Sequence, residues 1–155
     1  MTTTIERSVE LDVPARSAYD QWTQFEDYPR FIPGVERVRQ IDDRRLDWRV
    51  RVDGRPAEFK TEICEQIPDK RIAWKSVTGP WHSGVVTFHR LSDERSKIML
   101  QVDYEPEGLL NKLGDKLGLP ETRLERDLLA FKQFVESRES PTGAWRGRIP
   151  APGER

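Results

Sequence analysis

Between Val35 and Glu105 apolar and charged side chains alternate in pieces of strand length, with a turn signal at each break. Leu46, Trp48, Val50 and Val52 share one parity against Asp47, Arg49 and Arg51, and Phe59, Thr61 and Ile63 oppose Glu58, Lys60 and Glu62. Ile72, Trp74 and Ser76 oppose Arg71, Ala73 and Lys75. Ile98, Leu100, Val102 and Tyr104 oppose Lys97, Met99, Gln101 and Asp103. Asp42-Asp43, Asp53-Gly54, Pro68-Asp69, Gly79-Pro80 and Ser92-Asp93-Glu94 mark the breaks. Asp-Gly suits a two-residue type I′ hairpin, and Pro-Asp the corner of a type I turn. A period of two with a charged outer face is the pattern of antiparallel strands covered on one side only. It predicts a meander of six strands. Val35 to Ile41 alternates poorly, which predicts a bulge there.

Different elements flank the meander. Ile5, Val9 and Leu11 oppose Glu6, Ser8, Glu10 and Asp12, a first strand with Arg7 on its apolar side. Pro14 suits a first helical position, and Ala15, Ala18, Tyr19 and Trp22 then recur at helical spacing. Phe25 to Gly34 is aromatic and broken by Pro29 and Pro33, so it holds a turn or two of helix. After the meander Leu109, Leu113 and Leu117 make one helical stripe, Gly118 and Pro120 interrupt, and Leu124, Leu128, Phe131 and Val135 make a second. Residues 1–138 read as one domain. Residues 139–155, rich in Pro, Gly and Arg, read as a tail whose one large anchor is Trp145. Seven strands and one major helix make an α+β domain in which the helix covers the apolar face of the sheet. A strongly twisted sheet curls around such a helix, and a cavity remains wherever the facing side chains do not fill the space.

Composition narrows the function. The 155 residues carry 26 basic and 27 acidic side chains, a net charge of -1, which argues against a general binder of nucleic acid or anionic membrane. Arg44, Arg45, Arg49, Arg51 and Arg55 crowd one hairpin, but Asp42, Asp43, Asp47 and Asp53 interleave with them, the pattern of a salt-bridged solvated face. The longest apolar run, Leu128–Phe131, is far shorter than the roughly 20 residues that span a bilayer. Residues 1–10 lack a basic segment followed by an apolar one, so no leader is expected, and a cytoplasmic location is. The single cysteine, Cys64, excludes an internal disulfide and a multi-cysteine zinc site.

The element order, the pattern Trp22-x-x-Phe25-x-x-Tyr28-Pro29-x-Phe31 and the strand ending in Gly84-Val-Val-Thr-Phe88 resemble the START-like, helix-grip superfamily. Within it the chain is most similar to the polyketide cyclase/dehydrase and lipid-transport branch, over roughly Thr4 to Ser137. The resemblance implies a seven-stranded curved antiparallel sheet wrapped around a long C-terminal helix, with two short helices after the first strand. It also implies a hydrophobic ligand held between sheet and helix, and no cofactor.

The candidate residues follow from parity. Trp48, Phe59, Thr61, Trp74, Ser76, Phe88, Leu100 and Tyr104 take inward strand positions, Tyr28 and Phe31 come from the short helical segment, and Leu128 and Phe131 from the last helix. With His82 at the start of its strand, they form the expected ligand-binding set: apolar walls with a few hydroxyls. His82 reads as a polar rim residue or a proton carrier. His89 lies seven positions on, facing the other way, so the two histidines cannot share a metal in a regular strand, and no metal site is expected. Tyr104 is either a packed, hydrogen-bonded ring or an acid for enol chemistry. Arg7 is either an arginine reaching solvent at a strand end or an interior cation for a polyoxygenated ligand. Cys64 sits between Glu62 and Glu65, which disfavour a thiolate. No acid–base constellation stands out, and no catalytic residue is assigned. That favours a carrier of a lipid, quinone or polyketide-like molecule over a cofactor-independent aromatase/cyclase or dehydrase. A protein-interaction module like the ribosome-association toxins is the third possibility.

Overall fold

The computed structural model describes residues 2–52, 54–105 and 120–153. The Leu109, Leu113 and Leu117 stripe, and Asp53 of the Asp53-Gly54 turn, lie outside the described residues. The strands are β1 (Thr3–Leu11), β2 (Val35–Gln40), β3 (Arg45–Val52), β4 (Arg55–Ile67), β5 (Arg71–Ser76), β6 (His82–Arg90) and β7 (Ser96–Tyr104). Helix α1 (Ala15–Trp22) and a 3-10 helix (Phe25–Arg30) follow β1, and α2 (Pro120–Glu136) follows the meander. The seven strands form one antiparallel sheet in the order β1-β7-β6-β5-β4-β3-β2. This is the helix-grip arrangement.

Alternation decides which faces are buried. Ile5 and Leu11 of β1, Leu46 of β3, Ile63 of β4, Ile72 of β5, Val86 and Phe88 of β6 and Ile98 and Leu100 of β7 all turn into the core. There they meet Leu128, Phe131 and Val135 of α2, each burial contributing about 1.5–3 kcal/mol. Helix α2 is tied along its length to β1. Arg7 pairs with Glu121 at 3.3 Å, Lys132 Nζ donates to the Glu10 carbonyl at 2.8 Å, and the Glu136 carboxylate accepts the Asp12 N–H at 2.7 Å. These contacts run in the same order along both elements and fix the helix parallel to the strand. The 3-10 helix guards the other edge of the sheet, where the Glu26 carboxylate accepts the Gln40 N–H at 3.1 Å.

Three details depart from, or add to, the pattern read in the sequence. The register shift between Val35 and Arg37 falls in the segment of poor alternation, but a second one lies between Ile63 and Glu65. It turns Gln66 inward, and Gln66 Nε2 donates to the Tyr19 hydroxyl at 3.0 Å. At Pro68-Asp69 the corner is not type I. Asp69 has φ 65° and the Lys70 N–H closes onto the Ile67 carbonyl at 3.0 Å, as a type II turn requires. Aspartate tolerates that left-handed backbone, and Arg146 holds its carboxylate at 2.7 Å.

The same arginine explains the tail, which is a strap laid over α1. Arg146 bridges Asp69 to Asp20, at 2.5 Å, and lies 5.5 Å over the Tyr19 ring. Thr142 exchanges hydrogen bonds with Gln21, the Trp145 N–H donates to Thr23 Oγ1, and Ile149 pairs with Gln66 as a β-bridge and is buried. Trp145 is therefore one anchor among several. Asp20 and Gln21, on the polar side of α1 by sequence, are buried because the strap covers them.

Candidate functional site

The apolar face of α2 does not fill the hollow of the sheet. A cavity of about 200 Å³ lies between them, closed at one end by α1 and the 3-10 helix. Its wall is a mesh of rings. Trp22 meets Phe131 edge-on at 4.9 Å and Tyr28 at 6.0 Å, Phe31 tilts on Tyr28 at 5.6 Å and on Phe131 at 5.9 Å, and Tyr28 meets Trp48 at 5.9 Å. Edge-to-face contacts of this kind fix each ring against two neighbours, so the wall is preformed. Phe25, Ile32, Val35, Leu46, Ile63, Ile72, Trp74, Leu100, Leu124 and Leu128 complete the apolar lining.

Few polar atoms reach this space. Thr61 Oγ1 accepts the Trp48 indole N–H at 2.9 Å and donates to no described residue, which leaves its own O–H for an occupant. The Tyr28 hydroxyl is committed, donating to the Trp22 carbonyl at 2.8 Å, and burial pushes its pKa well above the usual phenolic value. The third polar group is Asp127 of α2. Burial among apolar side chains raises its carboxyl to about 6, against the pull of Arg123 and Arg126. Burial also pushes the Arg123 guanidinium below its ordinary value.

Asp127, with Ile32 and Val35, also borders a second space of about 280 Å³. This vestibule is lined by Pro33, Gly34, Val50, Ala57, Phe59, Gly79, Pro80, Val102, Glu58, His82 and Arg123. His82 packs edge-on against Phe59 at 5.8 Å, and its Nδ1 lies 3.3 Å from the Pro80 carbonyl. Burial lowers its pKa, so the ring is neutral at physiological pH. Gly79 has φ 83°, and a Cβ there would sit 2.9 Å from Phe59 Cβ, so only glycine lets this hairpin close over Phe59.

The expected residues therefore divide. Tyr28, Phe31, Trp48, Thr61, Trp74, Leu100, Leu128 and Phe131 come together around the inner cavity, and Phe59 and His82 around the vestibule. Ser76, Phe88 and Tyr104 line neither. Ser76 Oγ accepts the His82 N–H at 3.0 Å, Phe88 packs on Tyr19 and Trp22, and Tyr104 is buried at the end of the β6–β7 pair. Arg7 meets Glu121 rather than the cavity. The sequence reading omits Asp127. Its signal is there, because Leu124, Asp127, Leu128 and Phe131 fall at i, i+3, i+4 and i+7, which places a carboxylate on an apolar stripe. Among the described residues, no group of His, Cys, Asp and Glu is arranged to hold a metal, and no helix is long and apolar enough to cross a membrane.

A helix-grip sheet with a preformed apolar cavity under its last helix defines a START-like protein. Residues 11–133 match the family of polyketide cyclases/dehydrases and lipid-transport proteins, and the chain belongs to that family. A Streptomyces lincolnensis protein of 17.2 kDa from the melC2-rnhH intergenic region, itself uncharacterized, is 49% identical over 94% of this chain and 97% of its own length. Among solved structures, the Zhui aromatase/cyclase of Streptomyces sp. R1128 is 20% identical with a TM-score of 0.75, over 94% of this chain and 100% of that one. A START superfamily protein of Mycobacterium smegmatis is 17% identical with a TM-score of 0.71, over 86% and 97%. At these identities the two structures share the fold.

Proposed function

We propose that this chain binds a small, largely apolar, ring-bearing molecule in the inner cavity. The observation that carries the reading is an unfilled space of about 200 Å³ walled by interlocked aromatic rings. At about 24 cal/mol per Å³, a void of this size forfeits roughly 5 kcal/mol of packing, comparable to a domain's whole net stability. Such a space makes sense if it is occupied in use. A cavity of roughly 150 Å³ accepts benzene, so this one suits a one- or two-ring body. A longer acyl or polyketide chain would continue into the vestibule. Native mass spectrometry of the purified protein, with extraction of any retained compound, tests the reading directly. Quenching of the tryptophans by titrated 2-naphthol is the second measure. No retained compound and no saturable quenching would overturn it.

A second reading, a cofactor-independent cyclase or dehydrase, is supported by Asp127. A carboxyl that titrates near neutrality at the border of a dry cavity suits proton transfer to and from an enolisable ligand. The likeness to aromatase/cyclases in fold is compatible with it. Exchange of the acidic carbon-bound hydrogens of a bound 1,3-diketone for deuterium, followed by NMR, separates the readings. An enzyme accelerates it and Asp127→Asn abolishes the acceleration; a carrier does neither.

A further inference from the structure

We propose that the vestibule is a subsite for an anionic oxygen group, a carboxylate above all, on the ligand whose apolar body fills the inner cavity. Arg123 is its donor, and Asp127 the neighbour whose protonation follows occupancy. This rests on the ligand-binding reading above and adds the chemical class of the ligand, an amphipathic acid.

The first argument is the state of Arg123. Several arginines elsewhere on the surface have acidic partners: Arg49 and Arg51 share Glu36, Arg95 meets Glu10 and Asp12, and Arg71 meets Glu65. Arg123 is partly buried at the vestibule, yet no hydrogen bond or ion pair joins it to any described residue. Asp127 stands one turn further along the same helix without closing onto it. A partly buried guanidinium whose donor fork has no partner among the described residues gains most from a two-oxygen anion, which it grips through parallel N–H bonds. Glu58, the other acid of the vestibule, does not compete, because Arg49 holds it at 3.0 Å.

The second argument is the shape of the path. Ile32, Val35 and Asp127 border both spaces and so form the neck between them. Among the described residues, this neck joins the inner cavity to the space beside Arg123. The inner cavity offers one hydroxyl, and the vestibule supplies the charge, so the polar end of an occupant belongs outside the neck.

The placement has a consequence for pH. Among the described residues, Arg123 and Arg126 on α2, Glu58 on β4 and His82 on β6 are the charged or titratable groups around Asp127. An arriving carboxylate disfavours a second anion beside it, so Asp127 takes up a proton on binding. Affinity for the anion then rises as pH falls from 7.5 to 5.5, a range in which an ordinary aromatic acid stays ionised. His82 can only add to the same trend, and Asp127→Asn leaves His82 in place, so the two are separable.

The test uses the full chain, with 2-naphthoate and its neutral isostere 2-naphthamide titrated against tryptophan fluorescence at pH 7.5 and 5.5. The expected result is a clear preference of the wild type for the acid, at least tenfold at pH 5.5. Arg123→Gln should lose roughly ten- to a hundredfold in affinity for 2-naphthoate, the range of one charge-assisted hydrogen-bonded pair, with 2-naphthamide unchanged within about threefold. Asp127→Asn should bind 2-naphthoate with a much weaker pH dependence than the wild type, what remains being that of His82. Equal affinity of the wild type for both probes, or an equal loss of both in Arg123→Gln, overturns the subsite while leaving the cavity reading standing. A pH dependence in Asp127→Asn as large as that of the wild type overturns the role given to Asp127. If neither probe binds the wild type, the cavity reading fails and the subsite with it.

Discussion

Gly84 controls how much of the cavity exists. It pairs with Trp74 across β5 and β6, so both positions face inward, and the indole lies flat where a side chain of residue 84 would stand. A Cβ at Gly84 would sit 2.4 Å from Trp74 Cζ2, 2.6 Å from Cη2 and 2.9 Å from Cε2. Carbon atoms rest at about 3.5–4.0 Å, so Gly84→Ala forces the indole away by about 1 Å. The strand behind it cannot move without breaking the ladder, and the open direction is the cavity that Trp74 lines. Overpacking of a filled core costs about 1–3 kcal/mol, and here the void absorbs the shift, so the low end applies. At about 2–4 °C per kcal/mol for a chain of this size, the melting temperature should fall by only a few degrees. The space for an occupant, by contrast, is reduced directly, and affinity for 2-naphthol should fall at least tenfold. Thermal melting and tryptophan-quenching titration on the same preparations measure both. A variant with wild-type affinity for 2-naphthol, however stable, would refute the claim that Trp74 borders the bound molecule.

Three other perturbations test separate parts of the structure. Leu128→Ala enlarges a space that already exists, so it should cost about 2–3 kcal/mol by urea denaturation, the low end for buried leucine, and a loss of 5 kcal/mol would mean tight packing instead. Asp127 has its carboxyl raised to about 6 in the fold against 3.8 ordinarily, so the folded chain binds the extra proton and stability falls as pH rises between those values. Asp127→Asn removes that loss and should be about 1–3 kcal/mol more stable than wild type at pH 7.5, the gap closing towards pH 4; an unchanged melting curve at pH 7.5 would sink the assignment of a strained carboxylate. Arg146→Ala frees Asp20 and Asp69 together and should release the strap, seen as faster proteolysis after residue 138 and a destabilisation of about 1–3 kcal/mol; a tail as protected as in wild type would show that Ile149 and Trp145 hold it alone.

The sheet was legible in the sequence because its chemistry is one-sided. Each strand has a buried face and a wet face, so parity alone assigns Leu46, Ile63, Ile72, Val86 and Ile98 to the core. What parity cannot carry is a break in itself. The bulge between Ile63 and Glu65 shifts the rule by one residue and brings Gln66 inside, where the strap and Tyr19 satisfy it. Similarly, Asp20 and Gln21 lie off the apolar stripe of α1 and are buried only because a segment more than a hundred residues away lies across them. Burial by a distant part of the chain leaves no local period to detect.

Part of the cavity lining was legible for the same reason. Trp48, Thr61, Trp74, Leu100, Leu128 and Phe131 face the cavity because they share the inward parity of their elements. Phe88 and Tyr104 share that parity too, but they stand against α1 or at the end of the sheet, and parity does not say which inward residue meets a gap and which meets a neighbour. A gap is a property of summed volumes. Asp127 is the residue where a sequence rule was broken rather than followed, a carboxylate on an otherwise apolar stripe. Such breaks cost stability, and a fold keeps them where something other than stability depends on them. Here the break falls at the neck where the inner cavity meets the space beside Arg123.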